Sequence, residues 1–358
     1  MIKVGIATFQ FADNYGAVLQ CFALNKAISM FEDVSVNVIN YFPYSFAYRK
    51  VYESEYDKVR WYSKRKKFKE FLIEQCGMDE QTTNIIDGRG YDVVCVGSDQ
   101  IWNPKWDYKE YLLQHVGKNV KKISYAASLG CSVNEAMVKK EFFDDALSKF
   151  ANLSVREEEH TDFISEMSGI KCECVLDPTL LLDVDLYNDL LEGNDFYKES
   201  KNDYIFFYWL DHDQNVYKTA SLVNEIASRR GLKVKHTVWQ KNSEILFPDG
   251  ECVFYESIEG FLSLIKNAAY VITNSYHGTI FSIKFGVPFY TYVVESMKSR
   301  FSTLLTYGDI KERLFVSELP QINDDIDFEL INKKINDKRE DSIRYLKNAV
   351  MTNSLEKG

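Results

Sequence analysis

The sequence predicts an α/β protein built from two doubly wound parallel-sheet domains. Short apolar runs typical of buried strands alternate with segments of helix formers. The alternation stops between about residues 180 and 202, where charge rises, and then it restarts. The length of 358 residues also fits about two domains. We therefore place an N-terminal Rossmann-like domain at 1–185, a C-terminal one at 200–320 and a charged helical tail at 321–358.

The first half supplies the alternation for the first domain. Its predicted strands are residues 2–8, 35–41, 91–97, 123–128, 153–156 and 174–176. Its predicted helices are residues 17–24, 53–72 and a long amphipathic helix over 134–150. Because helices separate the strands, we expect parallel pairing.

The second half repeats the pattern. Its predicted strands are residues 204–210, 233–238, 270–273 and 288–293. Its predicted helices are residues 214–230 before Gly231, 258–266, and 279–285 before Gly286. In such sheets ligands bind at the carboxyl ends of the strands, so we expect a site in the cleft between the domains.

Composition excludes several classes of protein. With 43 Lys and Arg against 53 Asp and Glu, the net charge is −10, unlike that of a general nucleic-acid binder. Neither a secretory signal nor an uninterrupted apolar run of about 18 residues is visible. The seven scattered Cys fit reduced thiols, so we expect a cytoplasmic protein.

The sequence predicts neither a bound metal nor a cofactor. It contains no GxxxxGK[ST] motif and no complete GxGxxG motif. Cys172 and Cys174 have no second Cys or His pair at ligand spacing, and alternation along a strand explains them. The run Asp211-His212-Asp213 fits either a metal site or the start of the following helix.

The most informative segment runs from residue 270 to residue 288. A buried strand leads into Asn274-Ser275-Tyr276-His277-Gly278, and we expect a helix from about Thr279. The first turn of a helix after a strand is an anion site by geometry and dipole. His277 lies there, where an imidazole can donate to a phosphate or move a proton. A helix-capping or core histidine is the alternative.

Two other strand ends carry charged residues. Asp99 follows a buried strand and the Gly97 turn, where it could take a proton from a sugar hydroxyl, and Trp102 could stack on the sugar ring. An Asx turn beside a core Trp is the alternative. Arg156 leaves another strand, and it holds either Glu157 or an anionic ligand.

A basic stretch runs from Lys58 to Lys69, with Trp61, Phe68 and Phe71 interleaved. If helical, it could rest on an anionic membrane surface. A helix that packs by its aromatic side chains and leaves its Lys and Arg in water explains the pattern as well.

Six stretches in order resemble the polysaccharide pyruvyl transferase family. They are NYGAVLQCFAL, VGSDQIWNP, ISYAASLG, SVREEE, VLDPTLLL and NSYHGTIFSIKFGVPF, with RFSTLL at 300–305 as a weaker match. The resemblance implies two Rossmann-type domains in the arrangement of the GT-B glycosyltransferases. It also implies transfer of a pyruvyl group from phosphoenolpyruvate to two hydroxyls of a sugar in a surface polysaccharide or its precursor, which forms a cyclic ketal.

The resemblance also implies roles for particular residues. His277 would be the proton donor or phosphate ligand, Asp99 the hydroxyl base, and Arg156 the grip on an anionic group of the donor. The implied donor-binding residues are Ser275, Tyr276, Gly278, Thr279 and, as a second cation, Arg300. The implied acceptor-binding residues are Asn14, Gln20 and Trp102. Where some relatives have Arg-Leu-His, this chain has Ser275-Tyr276-His277, so one donor-site cation is missing or comes from elsewhere.

The expected partners are phosphoenolpyruvate and a lipid-linked or nucleotide-linked sugar acceptor, with a peripheral contact at the inner face of the membrane as a further hypothesis. Two other functions stay open. The same fold could transfer a glycosyl unit from a nucleotide sugar, or it could serve as a non-catalytic component of polysaccharide assembly. The sequence does not indicate an oligomeric state.

Overall fold

The structure is a computed structural model, and it describes most of the chain. The described residues are 1–43, 55–143, 145–210, 214–238, 243–253, 256–294, 301, 303–304, 306, 310–320, 322 and 325–352, with the backbone alone for 55–61 and 243–244.

The strands and helices alternate along the described chain. The strands are β1 Ile2–Ala7, β2 Val34–Val38, β3 Val93–Val96, β4 Lys121–Ser124, β5 Leu153–Val155, β6 Cys172–Cys174, β7 Tyr204–Trp209, β8 Lys233–Val238, β9 Glu251–Cys252, β10 Tyr270–Thr273, β11 Phe289–Tyr292 and β12 Leu314–Phe315. The helices are α1 Tyr15–Ser29, α2 Glu55–Cys76, α3 Val133–Val138, α4 Thr161–Ser168, α5 Val184–Leu191, α6 Asn215–Arg230, α7 Ser243–Leu246, α8 Ile258–Lys266, α9 Tyr276–Phe285 and α10 Phe328–Met351.

The chain divides into two compact units. The first comprises Met1–Leu182 together with Asn336–Gly358, and the second comprises Asp183–Ile335. Helix α10 begins in the second unit and ends in the first, where Leu346 is fully buried. Within the part of the chain that the structure describes, no helix is both long and apolar enough to cross a membrane.

The first unit contains a parallel sheet in the order β2-β1-β3-β4. Strands β1 and β3 are neighbours, and Ala7 pairs with Val96 at their carboxyl ends. Isolated bridges, including Ala127 to Val155, continue the sheet towards β5, which pairs with β6. The chain therefore reverses its direction of growth between β1 and β3, which is the topological switch point where open α/β sheets bind ligands.

The second unit contains a parallel sheet in the order β12-β11-β10-β7-β8-β9. This is the Rossmann order, and its switch point lies between β7 and β10, where Thr273 pairs with Tyr208. Phe207 and Trp209 stack on one face of the sheet at 5.2 Å between ring centroids. Phe206 and Tyr208 point to the other face. The prediction of doubly wound parallel sheets is confirmed.

The prediction of a long helix over residues 134–150 is wrong. Helix α3 ends at Val138, and two short 3-10 turns follow at Lys140–Phe142 and Leu147–Lys149. Phe142 and Phe143 are both buried, and their rings meet edge to face at 5.1 Å. Burying two adjacent rings in one core outweighs the preference of this segment for a continuous helix.

Candidate functional site

Buried hydrogen bonds join the two loops at the switch point of the first sheet. Thr8 Oγ1, just after β1, donates to the carbonyl of Ser98, just after β3, at 3.0 Å. The Gln20 amide donates to Thr8 Oγ1 at 2.8 Å and to a backbone carbonyl of α1, and Gln20 Oε1 accepts from Ser98 N at 2.9 Å. Gln20, which the sequence proposed for acceptor binding, therefore fixes the loop that carries Asp99.

A glycine makes that loop sterically possible. Gly97 has a φ of +113°, and a Cβ there would lie 2.1 Å from the carbonyl oxygen of Tyr125. The next loop residue but one, Asp99, has a φ of +71° and accepts a hydrogen bond from Gln100 N at 2.9 Å. This bond joins adjacent residues and is not the Asx turn weighed above, since Ile101 N, two residues on, donates to the Asp99 carbonyl at 2.8 Å. It holds the carboxylate at the carboxyl edge of the sheet.

Arg156 lies beside Asp99 at the end of β5. Its Nε donates to Glu157 Oε1 at 3.1 Å and its Nη1 to Asp177 Oδ2 at 3.0 Å, while Nη2 lies 3.7 Å from Asp99 Oδ1. The Arg156 side chain is 1% exposed. The guanidinium therefore has an ion pair within the protein, the first of the two alternatives, and the grip on an anionic ligand implied by the resemblance is replaced by a grip on carboxylates.

Asp99 is the most accessible carboxylate of this cluster. Its side chain is 16% exposed, whereas those of Glu157 and Asp177 are 0% exposed. Asp177 Oδ1 also accepts from the backbone and hydroxyl of Thr179. Sequence reasoning gave Asp177 no role, although it lies inside the quoted VLDPTLLL stretch, directly before a proline that ends the apolar run.

A second buried residue that sequence reasoning missed is His160. Its Nδ1 lies 3.4 Å from Glu157 Oε2, and its Nε2 lies 2.9 Å from the carbonyl of Cys131 and 3.3 Å from Glu159 Oε1. Burial alone would lower the pKa of His160, but the hydrogen bond and charge of Glu157 and the charge of Glu159 raise it. Both ring nitrogens face acceptors, an arrangement that a protonated imidazole satisfies.

The contact between His160 and Glu157 lowers the pKa of Glu157 while it raises that of His160. Burial by itself would raise the pKa of this carboxyl, but the hydrogen bond from His160, the charges of Arg156 and His160 and the hydroxyl of Ser128 hold it below its usual value. Charges of alternating sign therefore run from His160 through Glu157 and Arg156 to Asp99.

Trp102 and Asn14 also have structural positions. Trp102 is 0% exposed, donates through Nε1 to the carbonyl of Tyr111 at 3.2 Å and packs against Phe150. It is the core Trp of the alternative interpretation, since a buried ring has no face for a sugar. Asn14 is the N-cap of α1, and its side chain accepts from Gly16 N at 2.8 Å.

In the second unit, the switch point carries the loop between β10 and α9. The Asn274 side chain accepts from Leu210 N at 2.8 Å, which ties the end of β10 to the end of β7. Ser275 is the N-cap of α9, and its Oγ accepts from Gly278 N at 3.2 Å. The helix therefore begins at Tyr276 rather than near Thr279, because Ser275 provides the cap. His277 lies in its first turn.

Gly278 and Thr279 pack against the sheet. A Cβ on Gly278 would lie 2.9 Å from Thr273 Oγ1 and 3.1 Å from the Tyr208 ring, so glycine is needed for close packing of α9 on the strands. Thr279 Oγ1 donates to the carbonyl of Ser275 and is 2.7 Å from Thr291 Oγ1. Their contact with a phosphate stays a prediction.

Tyr276 and His277 meet at the same helix start. Their rings are perpendicular with centroids 5.4 Å apart, and Tyr276 also packs against Phe301. Each residue is 5% exposed. Beneath them, burial raises the pKa of Tyr208, which a hydrogen bond with Ser275 partly offsets. Arg300, the predicted second cation, lies outside the described residues, as does the run Asp211–Asp213.

The basic stretch on α2 is packed by its aromatic side chains. Phe68 meets Tyr15 at 5.1 Å and Phe71 meets Phe22 at 5.5 Å, so α2 lies on α1. Lys64 is 0% exposed, and its Nζ lies 4.2 Å from the centre of the Tyr15 ring. Among the described residues, no group of three or more His, Cys, Asp or Glu is placed to hold a metal ion.

Comparisons with solved structures identify the fold class. The S. aureus MnaA–UDP co-structure matches with a TM-score of 0.54 at 10% identity, over 98% of this chain and 91% of that one. UDP-GlcNAc 2-epimerase from Neisseria meningitidis bound to UDP-GlcNAc matches at 0.52 and 8% identity, over 98% and 94%. The enzyme from Methanocaldococcus jannaschii in complex with UDP-GlcNAc and UDP matches at 0.50 and 13%, over 94% and 92%. The fold is therefore GT-B-like.

No curated protein sequence matches this chain. The family model for polysaccharide pyruvyl transferase matches residues 14–296, which is most of the sequence. That span includes both switch-point loops, the one with Asp99 and the one with His277. The chain belongs to the polysaccharide pyruvyl transferase family.

Proposed function

We propose that this protein transfers a pyruvyl group from phosphoenolpyruvate to two hydroxyls of a sugar and forms a cyclic ketal. The observation that carries the proposal is the position of Asp99 and of the start of α9. Each lies at the topological switch point of its own parallel sheet, which is where α/β folds bind ligands. One position offers a carboxylate, and the other offers a helix start with an imidazole.

The chemistry needs a proton donor, a base and an anion site. Protonation of C3 of phosphoenolpyruvate makes C2 an oxocarbenium, and one sugar hydroxyl adds to C2 and loses its proton. The bond from C2 to the phosphate oxygen then breaks, inorganic phosphate leaves, and the second hydroxyl adds to C2. Of the two protons that the hydroxyls lose, one balances the proton gained at C3 and the other leaves with phosphate.

The start of α9 is suited to the donor. The positive end of a helix dipole favours a phosphate, and Ser275 fixes the geometry of the first turn by its cap. His277 in that turn would bind the phosphate or deliver the proton to C3. The donor carboxylate requires a further cation, for which we keep Arg300 as a prediction.

Asp99 is suited to accept the hydroxyl proton. Its carboxylate is the most accessible member of a buried charge cluster, and the hydrogen bond from Gln100 N holds it in one orientation. In this proposal Arg156 acts as a positioning residue, because its guanidinium is committed to Glu157 and Asp177 and reaches Asp99 only at 3.7 Å.

Turnover tests the proposal. Pure protein is incubated with phosphoenolpyruvate and a panel of lipid-linked and nucleotide-linked sugars, and phosphate release is measured together with ketal formation by NMR. We expect both products in equal amounts with at least one acceptor. Binding of a nucleotide sugar in calorimetry, without any binding of phosphoenolpyruvate, would instead support glycosyl transfer.

A further inference from the structure

A cavity of about 170 Å³ lies at the carboxyl ends of β1 and β2 in the first sheet. We call it the Gln10 pocket. It is lined by residues that follow β1 and β2, by one side of α2 and by the segment after α2, among them Gln10, Phe11, Phe42, Arg65, Phe68 and Thr82. An engineered apolar cavity of about 150 Å³ takes up one benzene ring, so this pocket has room for a single six-membered ring.

Gln10 provides a buried acceptor in this pocket. Its Nε2 donates to the carbonyl of Tyr41 at 2.5 Å, which fixes the orientation of the amide. Its Oε1 is buried and has no hydrogen-bond partner among the described residues. Leaving such an acceptor unsatisfied costs about 1–3 kcal/mol, and a hydroxyl of a bound ligand would supply the missing donor.

The charges of the pocket do not suit the phosphoenolpyruvate donor. Arg65 Nε lies 2.8 Å from Asp13 Oδ1, and that carboxylate is 1% exposed, so the two charges offset each other. Lys69 donates to the neutral backbone carbonyl of Glu80 at 3.4 Å, so its charge adds one net positive charge to the lining. A donor with a phosphate and a carboxylate needs several unopposed cations, whereas the described lining offers one.

The walls of the pocket are aromatic. Phe11 and Phe42 meet edge to face at 5.7 Å, and the guanidinium of Arg65 lies 5.4 Å from the centre of the Phe42 ring. Phe68 closes the side formed by α2. Flat apolar walls with one hydrogen-bond acceptor suit a ring that has apolar faces and hydroxyl groups on its edge, which is a pyranose.

We propose that the Gln10 pocket binds a sugar ring of the acceptor, with one hydroxyl donating to Gln10 Oε1. That this sugar is the acceptor of the pyruvyl group rests on the proposed function, whereas the binding of a sugar in the pocket does not. Strands β1 and β3 are hydrogen-bonded neighbours, and neighbouring strands lie about 4.8 Å apart. The pocket and Asp99 therefore both lie at the carboxyl edge of this sheet, which is the edge where the proposed acceptor hydroxyls meet that carboxylate.

The experiment compares two tryptophan substitutions in one exposed loop. Thr82 lines the pocket and Asn84 does not, and both residues are exposed. Binding of methyl glycosides of the common hexoses and N-acetylhexosamines is measured by saturation-transfer NMR. We expect at least one glycoside to bind the wild type and Asn84→Trp alike, and to bind Thr82→Trp about tenfold more weakly or not at all. Phosphoenolpyruvate binding, followed by calorimetry, should be the same in all three proteins.

Three results would overturn the inference: no glycoside binds the wild type, Thr82→Trp binds glycosides as well as the wild type, or Thr82→Trp loses phosphoenolpyruvate while Asn84→Trp keeps it. The last result would make the pocket a donor site. Failure of the proposed function has a different signature, because a protein that never turns over phosphoenolpyruvate can still bind a glycoside in this pocket and lose it in Thr82→Trp.

Discussion

Gln20 Oε1 accepts a hydrogen bond from the backbone N–H of Ser98 at 2.9 Å, so the first helix of the first unit holds the loop after β3. The same amide donates to Thr8 Oγ1 and to a carbonyl of α1. One buried side chain thus joins both loops of the switch point. The orientation of Asp99, which directly follows Ser98, depends on it.

Replacing Gln20 by Leu should lower the free energy of unfolding by about 1–3 kcal/mol, because buried groups of Thr8 and Ser98 lose their partners. Urea unfolding measures the change. The matched substitution Gln81→Leu, at an exposed position, should change stability by less than about 0.5 kcal/mol. Equal effects of the two substitutions would contradict the role given to Gln20.

Asp99→Asn should remove the proposed base without unfolding the protein. The side chain keeps its shape and can still accept from Gln100 N, while Arg156 keeps Glu157 and Asp177. We expect the rate of phosphate release to fall by about 10²-fold or more. Asp107→Asn, in an exposed loop of the same unit, is the control and should leave the rate unchanged.

Arg156→Met should be among the most destabilising single substitutions in the first unit. It leaves Asp177 as a buried charge without its cation and Glu157 with His160 as its remaining cationic partner, and removing one partner of a buried ion pair typically costs about 3–5 kcal/mol. The comparison is Arg89→Met, since Arg89 pairs with Asp87 but its side chain is 89% exposed. That surface pair should contribute at most about 1 kcal/mol. A small effect at Arg156 in urea unfolding would show that the cluster does not stabilise the fold.

The stability that His160 contributes should decrease as pH rises. Its pKa is raised in the folded protein by Glu157 and Glu159, so its contribution is complete below the unfolded value of about 6.5 and is lost as pH rises through the higher folded value. Glu157 acts oppositely: its lowered pKa gives a contribution that is present above the unfolded value of about 4.3 and is lost on acidification through the lower folded value.

Urea unfolding of the wild type and of His160→Gln at a series of pH values separates the two effects. We expect the stability difference between the two proteins to be largest near pH 6 and to shrink towards about pH 9. A difference that is constant or grows with pH would contradict the charge that we assign to His160.

Alternating apolar and helix-forming segments were enough to predict both parallel sheets, because buried parallel strands need continuous apolar runs such as Val93–Val96. The pattern failed at residues 134–150. There the core takes up Phe142 and Phe143 together, and that packing involves partners distant in sequence. The helix propensity of the segment depends on its own residues, so it does not predict contacts with those distant partners.

The positions of the site residues were more predictable than their roles. Asp99 and His277 each follow a strand, and the order of strands and helices along the sequence predicts that such strand ends lie at a switch point. The ion pair between Arg156 and Asp177 could not be predicted from the sequence, since those residues lie 21 positions apart and meet only when β5 and β6 pair. The buried state of Trp102 was likewise decided by tertiary packing against Phe150.

Two serine caps in the second unit give a matched pair for testing the donor site. Ser275 caps α9 and Ser257 caps α8, each by accepting from a glycine N–H three residues on. Replacing either by Ala should lower the free energy of unfolding by about 1 kcal/mol. The proposed function assigns a ligand to only one of these helix starts.

Calorimetric titration of phosphoenolpyruvate into the wild type, Ser275→Ala and Ser257→Ala tests the central claim most directly. The account predicts saturable binding by the wild type, unchanged binding by Ser257→Ala and about tenfold weaker binding by Ser275→Ala, because that cap orders the first turn that would hold the phosphate. Absence of binding by the wild type, or equal binding by the two variants, would contradict it.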